Sequence, residues 1–172
     1  MKVNGVHYRS IWYDYETDKV MIIDQRWLPH DFRITHLENA NDFAVAIRDM
    51  WVRGAPLIGA TAAYGMAAAM AEDPSDANLE NSYGFLMETR PTAVNLRWAL
   101  NRCKRFLADL TPEVRYDEAL KIAHGIADED VENNRRIGEH GLALVKEIAA
   151  KKTSGEPVRI LTHCNAGWPA TV

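Results

Sequence analysis

Residues 56–72 read PLIGATAAYGMAAAMAE, and this stretch decides the fold. Because apolar residues occupy nearly every position, a helix built from it has no polar face, which predicts a helix buried on all sides. Its glycines and alanines allow neighbouring backbones to approach closely. The wider stretch Ala55–Ala71 is too short and too rich in glycine and alanine for a convincing membrane span. We therefore expect a mainly α-helical domain around this segment and no membrane partner.

Helical patterns continue on both sides of this segment. On the N-terminal side, Asn39 or Asn41 can cap a helix that ends at Gly54. On the C-terminal side, proline-containing breaks separate further helices, because proline and the residue before it disfavour helical geometry. The predicted helices run from 39 or 41 to 54, from 56 to 72, from 76 to 88, from 91 to 110 and from 113 to 150, the last as two helices that meet near Gly138 or Gly141.

The two ends of the chain carry β-strand patterns. Val6–Tyr13 and Lys19–Gln25 are rich in β-branched and aromatic residues and flank a polar turn, which predicts a β-hairpin. Near the other end, Lys151–Pro157 is the clearest linker, and Val158–His163 predicts a short strand.

The linker separates a helical domain with a β-hairpin over residues 1–155 from a tail over residues 156–172. A single strand cannot form a sheet by itself. We therefore expect residues 158–172 to be poorly placed on the first domain, and the exposed strand edge to favour self-association.

The composition narrows the class of protein. A chain of 172 residues and 19.4 kDa has room for one domain and a fraction of another. Twenty Lys and Arg against 24 Asp and Glu give a net charge of -4, which disfavours a nucleic-acid-binding protein. Cys103 and Cys164 are too few for a disulfide framework, and the N-terminus lacks the apolar core of an export signal. We therefore expect a cytoplasmic protein without a nucleic-acid partner.

Residues 53–56, which read RGAP, form the first candidate site. A glycine that leads into a helix exposes free N–H groups at the positive end of the helix dipole, and Gly54 has no Cβ to keep a ligand away. Arg53 adds a planar cation suited to phosphate. The alternative is structural: Gly54 ends one helix, Pro56 begins the next, and Arg53 is solvated.

A second junction of the same kind lies at residues 89–92, which read TRPT. Here Arg90 stands beside another helix start. On its own, this junction is also explained by a helix break with a surface arginine. Two such junctions in one chain favour a pair of sites that grip one anionic ligand.

The third candidate, Cys164, follows the predicted strand directly. Ligands in open α/β sheets bind at the carboxyl ends of strands, and a nearby helix N-terminus would lower the pKa of a thiol there. The alternative is a buried cysteine in a tight turn. Cys103 lies at an apolar helical position and is expected to be inert. The histidines show no metal-ligand spacing, so we expect no metal.

Taken together and in order, three segments strongly resemble the methylthioribose-1-phosphate isomerases of methionine salvage, within the initiation-factor-2B-like superfamily. The segments read VRGAPLIG at 52–59, TRPTAVNL at 89–96 and ILTHCNAG at 160–167. Residues 23–29, IDQRWLP, also look like that family.

The resemblance implies a fold and an activity. Family members convert the aldose methylthioribose 1-phosphate into the ketose methylthioribulose 1-phosphate. They have an N-terminal helical domain with a small β element, followed by a Rossmann-like α/β domain. Residues 156–172 would then be the first strand of a truncated Rossmann-like domain. The implied partners are a small sugar phosphate and a second copy of the chain, as a homodimer or other self-association, with no cofactor.

The resemblance also implies roles for individual residues. Arg53, Gly54, Ala55 and Arg90 match substrate-binding positions, and Cys164 matches the active-site cysteine that stabilises the transition state or assists proton movement. The family's second catalytic residue, an aspartate that donates a proton, lies deep in the Rossmann-like domain. Because the chain ends at Val172, we expect a truncated form that is inactive alone.

Two other functions remain open. Ribose-1,5-bisphosphate isomerase shares the architecture and an active-site cysteine. The regulatory subunits related to initiation factor 2B share the fold without isomerase chemistry. The Ala-Pro after Gly54 and the Asn-Ala-Gly after Cys164 favour the methylthioribose enzyme over both.

Overall fold

Helix α2 (Ala55–Glu72) lies at the centre of the computed structural model, which describes residues 2–163 and 167–172. Every residue from Leu57 to Ala67 is buried. A Cβ placed on Gly59 would come within 3.0 Å of the Asn95 carbonyl oxygen, so the absence of a side chain there lets the backbones of two helices approach. The expected burial of this segment is confirmed.

Four helices pack around α2. They are α1 (Ala40–Arg48), α3 (Asp76–Glu88), α4 (Val94–Leu107) and α5 (Pro112–Ala150), and each of them contacts α2. Their buried faces, with large apolar side chains such as Phe43, Leu86 and Leu100, form one core. The prediction of a mainly helical unit is confirmed, although α1 ends earlier than predicted and α4 begins later.

Helix α5 differs from the prediction because it is one continuous helix of 39 residues rather than two. Gly138 and Gly141 do not interrupt it, since a glycine inside an exposed helix costs only about 1 kcal/mol relative to alanine. Arg135 offsets part of this cost, because its guanidinium is paired with Glu132 at 2.7 Å and with Glu139 one turn later.

A small antiparallel sheet covers one side of the helices. It has the order β3 (Ile11–Asp14), β4 (Lys19–Ile23) and β5 (Ile34–Leu37), and a separate two-stranded ladder joins β1 (Lys2–Val3) to β2 (Val6–His7). The predicted hairpin corresponds to β3 and β4, paired from Ile11↔Ile22 to Asp14↔Lys19. Strand β5 was not predicted, since it has only four residues, of which Leu37 alone is buried.

The C-terminal tail differs from the expectation in two ways. The predicted strand over Val158–His163 is absent, because in the described part of the chain these residues pair with no other strand, and Leu161 is 98% exposed. By contrast, Gly167–Val172 is well placed on the helical unit and contains one 3-10 turn, Trp168–Ala170. Within the described residues, none of the helices is both long and apolar enough to cross a membrane.

Candidate functional site

The N-termini of α2 and α4 open onto the same cavity. Gly54 and Ala93 occupy the cap positions of these helices, and neither residue has a side chain that can accept a hydrogen bond from the first turn. Helices α1 and α3 differ, because the side chains of Asn39 and Ser75 cap them. The first N–H groups of α2 and α4 are therefore left for a ligand or water.

The cavity has a volume of about 910 Å³ and combines both predicted arginine junctions. All four residues predicted to bind substrate line it, although Arg53 and Arg90 are far apart in the sequence. Among the described lining residues there are two guanidinium groups and no carboxylate, so the site favours an anion. The lining residues are Met50, Arg53, Gly54, Ala55, Pro56, Ile58, Arg90, Thr92, Ala93, Gly167, Ala170 and Thr171.

The Arg53 side chain is exposed but held at one point. Its Nη2 donates a hydrogen bond of 2.5 Å to the main-chain carbonyl of Gln25, which lies two residues after the end of β4. This bond uses one of the five N–H donors of the guanidinium. The remaining donors can bind a ligand while the anchor limits the motion of the side chain.

Arg90 lies in the turn that joins α3 to α4. The Ala93 N–H donates to the Arg90 carbonyl at 3.0 Å, which closes the turn directly before α4. The Thr89 hydroxyl donates to the Leu86 carbonyl at 2.6 Å and ends α3. The helix break at the proline after Arg90 therefore places this arginine next to the N-terminus of α4.

Gly54 is packed in a way that the sequence did not predict. Its φ is +104°, a conformation that favours glycine, and a Cβ there would lie 2.3 Å from the Cα of Ala170. The sequence suggested that a ligand uses the space left by the missing side chain. In the structure, the main chain of the C-terminal segment occupies that space.

This C-terminal segment, Gly167–Val172, forms a strap across the start of α2. Three hydrogen bonds hold it to three different parts of the chain. The Ser10 hydroxyl donates to the Trp168 carbonyl at 3.1 Å, and Gln25 Nε2 donates to the Pro169 carbonyl at 2.5 Å. The Val172 N–H donates to Asp130 Oδ2 at 2.9 Å. The strap thereby forms a fixed wall of the cavity.

The predicted catalytic residue, Cys164, lies outside the described residues, together with Asn165 and Ala166. Gly167, three positions later in the sequence, lines the cavity. The other cysteine, Cys103, is fully buried in α4, and burial raises the pKa of its thiol to about 12. A thiol in that environment stays protonated and unreactive at neutral pH.

An ion pair with one buried partner flanks Gln25 in the sequence. Asp24 is 2% exposed and accepts hydrogen bonds from Arg26 Nη2 at 2.5 Å and Nε at 2.9 Å. Burial acts to raise the pKa of Asp24, but the hydrogen bonds from Arg26 outweigh it and hold the pKa below its ordinary value. The Arg26 guanidinium also stacks 4.0 Å from the ring centroid of Trp51, close to Arg53 in sequence.

The sequence did not point to Ser10, Gln25, Met50 or Thr171 as parts of the site. Only the IDQRWLP segment carried a signal, as part of the family resemblance, and it did not distinguish Gln25 from its neighbours. Within residues 2–163 and 167–172, no group of three or more His, Cys, Asp or Glu side chains is arranged to hold a metal ion.

Known proteins resemble this chain both in sequence and in fold. The sequence model of the initiation factor 2 subunit family matches residues 51–172. A methylthioribose-1-phosphate isomerase of Brucella anthropi is 62% identical over 172 residues, which is 100% of this chain and 47% of that protein. A methylthioribose-1-phosphate isomerase of Cereibacter sphaeroides is 63% identical over the whole chain and 46% of its own length.

Two solved structures resemble the fold. The 5-methylthioribose 1-phosphate isomerase of Pyrococcus horikoshii has a TM-score of 0.76 and 38% identity, over 95% of this chain and 45% of that chain. The translation initiation factor eIF-2B subunit delta of A. fulgidus has a TM-score of 0.78 and 37% identity, over 96% and 47%. The chain therefore spans about half the length of the curated relatives it matches.

Proposed function

The chain belongs to the initiation factor 2 subunit family, and from that premise we propose that it is the N-terminal part of an aldose–ketose isomerase acting on methylthioribose 1-phosphate. The observation that carries this proposal is the cavity of about 910 Å³ where two uncapped helix N-termini meet Arg53 and Arg90. This is the chemistry that recognises a phosphate ester. The names of the relatives, at 62% and 63% identity, supply the sugar.

Each predicted residue has a role in this proposal. Arg53, Arg90 and the N–H of Ala55 bind the phosphate and hydroxyl groups of the substrate, and Gly54 lets the strap approach the start of α2. Cys164 stabilises the transition state or assists proton movement. What supports this role is the sequence position of Cys164, three residues before Gly167, which lines the cavity.

The reaction requires the sugar ring to open and a hydrogen to move from C2 to C1, which leaves the carbonyl on C2 and the phosphate on C1. A proton route through an enediol and a direct hydride route both conserve the atoms and the charge of the substrate. Either route benefits from a site that excludes water. The family's proton-donating aspartate would come from the second half of the protein, so we expect the 172-residue chain to bind phosphate without turning over the sugar.

We also propose that the protein acts in the cytoplasm and self-associates. The exposed side chains of Ile160 and Leu161 support self-association, since they leave apolar surface open to solvent. Light scattering coupled to size exclusion tests this point, and a monomer at all concentrations would contradict it.

A non-catalytic, initiation-factor-like binding module is the second candidate. It is favoured by the structural similarity to the eIF-2B subunit delta of A. fulgidus, at 37% identity. The isomerases are closer in sequence, at 62% and 63% identity, and the isomerase is therefore the preferred function. Ribose-1,5-bisphosphate isomerase is the third candidate, and a parallel assay with ribose 1,5-bisphosphate distinguishes it.

A turnover assay with methylthioribose 1-phosphate tests the proposal. The assay compares the 172-residue chain with a longer chain, in which the same residues continue into the remaining part of the Brucella anthropi relative. We expect ketose formation by the longer chain and a decrease of about a hundredfold or more in Cys164→Ala. Cys103→Ala is the matched control, which lowers stability but keeps turnover. A longer chain that folds and binds phosphate but forms no ketose would favour the binding module.

A further inference from the structure

We propose that Gln25 is a positioning residue of the cavity, because it holds Arg53 through its main chain and the strap through its side chain. This inference rests on the proposed function only in that the cavity binds a phosphate ester. Gln25 is the only glutamine in the chain, and it directly follows the buried Asp24 after β4.

Three hydrogen bonds leave Gln25 in three directions. Its N–H donates to the Trp51 carbonyl at 2.9 Å, its carbonyl accepts from Arg53 Nη2 at 2.5 Å, and its Nε2 donates to the Pro169 carbonyl at 2.5 Å. The residue is 4% exposed, so water cannot easily replace these partners. A single residue therefore links the segment before α2, the candidate ligand-binding arginine and the strap.

Ser10 forms a second link of the same kind. Its hydroxyl donates to the Trp168 carbonyl, one residue before the carbonyl that Gln25 holds. The Ile23 N–H donates to the Ser10 carbonyl at 3.1 Å, which links the residue before β3 to the last residue of β4. The strap is therefore held at two consecutive carbonyls by donors from one end of the β3–β4 pair.

This arrangement couples the two walls of the cavity. The first wall is the segment before α2 with Arg53, and the second is the strap, which contributes Gly167, Ala170 and Thr171 to the lining. Since both walls are bonded to Gln25, removing its amide donor takes away one of the three hydrogen bonds that hold the strap and leaves the bond from Arg53 to the main chain in place. A positioning role thus predicts weaker ligand binding without the loss of any group that contacts the ligand.

Two variants and one control test the proposal on the 172-residue chain. Gln25→Met keeps the length of the side chain and removes the donor, and Ser10→Ala removes the second link. Ser82→Ala is the control, because Ser82 is also buried but donates at 3.1 Å to Asn78 within α3, away from the strap. Amide exchange at Thr171 and Val172 reports on the strap, and titration with inorganic phosphate, followed at the Ala55 N–H, reports on the cavity.

We expect amide exchange in the strap to rise about tenfold in Gln25→Met and by a smaller factor in Ser10→Ala, with exchange in α2 unchanged. Phosphate affinity should fall about three- to tenfold in the same order, while Ser82→Ala changes neither readout in the strap or cavity. If Gln25→Met loses its fold, Ser10→Ala carries the test, because removing one hydroxyl is mild.

The outcomes separate this inference from the proposed function. A parent chain that does not bind phosphate overturns the phosphate site, whereas strap exchange still decides the role of Gln25. Unchanged exchange and unchanged phosphate affinity in both variants would overturn the role of Gln25 and leave the site intact. Exchange that rises equally across α2 and the strap would reduce Gln25 to a general stabilising residue and would also overturn the proposal.

Discussion

The main chain of Ala170 lies directly against Gly54, so that a Cβ added to Gly54 would come 2.3 Å from the Ala170 Cα and carbonyl oxygen. The cap residue of the central helix and a residue near the end of the chain therefore form one close main-chain contact, which is the joint between α2 and the strap. The strap can lie across the start of α2 because position 54 has no side chain.

This joint predicts the effect of Gly54→Ala. The variant combines an unfavourable φ of +104° with a collision against the strap, and we expect it to lower the free energy of unfolding by roughly 1–3 kcal/mol. Urea denaturation measures the loss. Gly138→Ala is the control, because a Cβ at that position would meet no described heavy atom within 4 Å, and it should stabilise the helix by roughly 0.5–1 kcal/mol. Equal effects of the two substitutions would contradict the joint.

The two arginines in the cavity predict a salt-sensitive anion site. Arg53→Gln and Arg90→Gln should each weaken the binding of inorganic phosphate about tenfold, since each removes a charged hydrogen-bond donor. The affinity of the parent should also fall with added sodium chloride, which screens exposed charges. Calorimetry or NMR titration measures both effects. Arg135→Gln is the control, because that guanidinium is paired with Glu132 on the exposed side of α5, and phosphate binding that depends on Arg135 would argue against this cavity.

His124 predicts a decrease in stability on mild acidification. Its Nδ1 lies 2.9 Å from the Tyr64 hydroxyl, and burial lowers its pKa, with Asp128 opposing the shift. Because the unfolded state binds the proton more readily, the stabilising contribution is present above the ordinary pKa near 6.5 and is lost as the pH falls through the lower folded value.

Urea unfolding at pH 7.5 and pH 5.5 measures this loss. His124→Gln should reduce the difference in unfolding free energy between the two pH values. His140→Gln, on the exposed part of α5, serves as the control and should retain the difference. A difference that is the same in His124→Gln and in the parent would rule out this histidine as the source.

Asp24 predicts a stability loss of a different origin. Asp24→Asn leaves Arg26 without its buried anionic partner, so the free energy of unfolding at pH 7 should fall by roughly 1–3 kcal/mol. Because the pKa of Asp24 is held below its ordinary value, its contribution is present above that value and is lost as the pH falls through the folded pKa.

The measurement is a thermal melt from pH 7 down to pH 3 for the parent and for Asp24→Asn. Asp31→Asn is the control, since Asp31 pairs with Arg33 on the surface, where an ion pair contributes little. A loss at Asp31 as large as that at Asp24 would contradict the special role of the buried Asp24 carboxylate.

Much of the fold follows from local patterns. The apolar composition of residues 56–72 predicted a buried central helix, and the proline and glycine positions predicted most of the helix boundaries. The same patterns failed where tertiary contacts decide the outcome. Strand β5 is too short to show a period, and the predicted strand over residues 158–163 has no partner in the described chain, so its local sequence is not enough to form it.

The sequence by itself determined the two helix starts with their arginines, because a proline, a glycine and a neighbouring cation are local features. Tertiary structure alone decided that Arg53 and Arg90 line one cavity, that Ala170 takes the space beside Gly54, and that Gln25 joins both walls. These relationships connect residues separated by tens of positions or more than a hundred. Periodicity carries no information over such distances, since only the packing of α2, α4 and the sheet brings these backbones together.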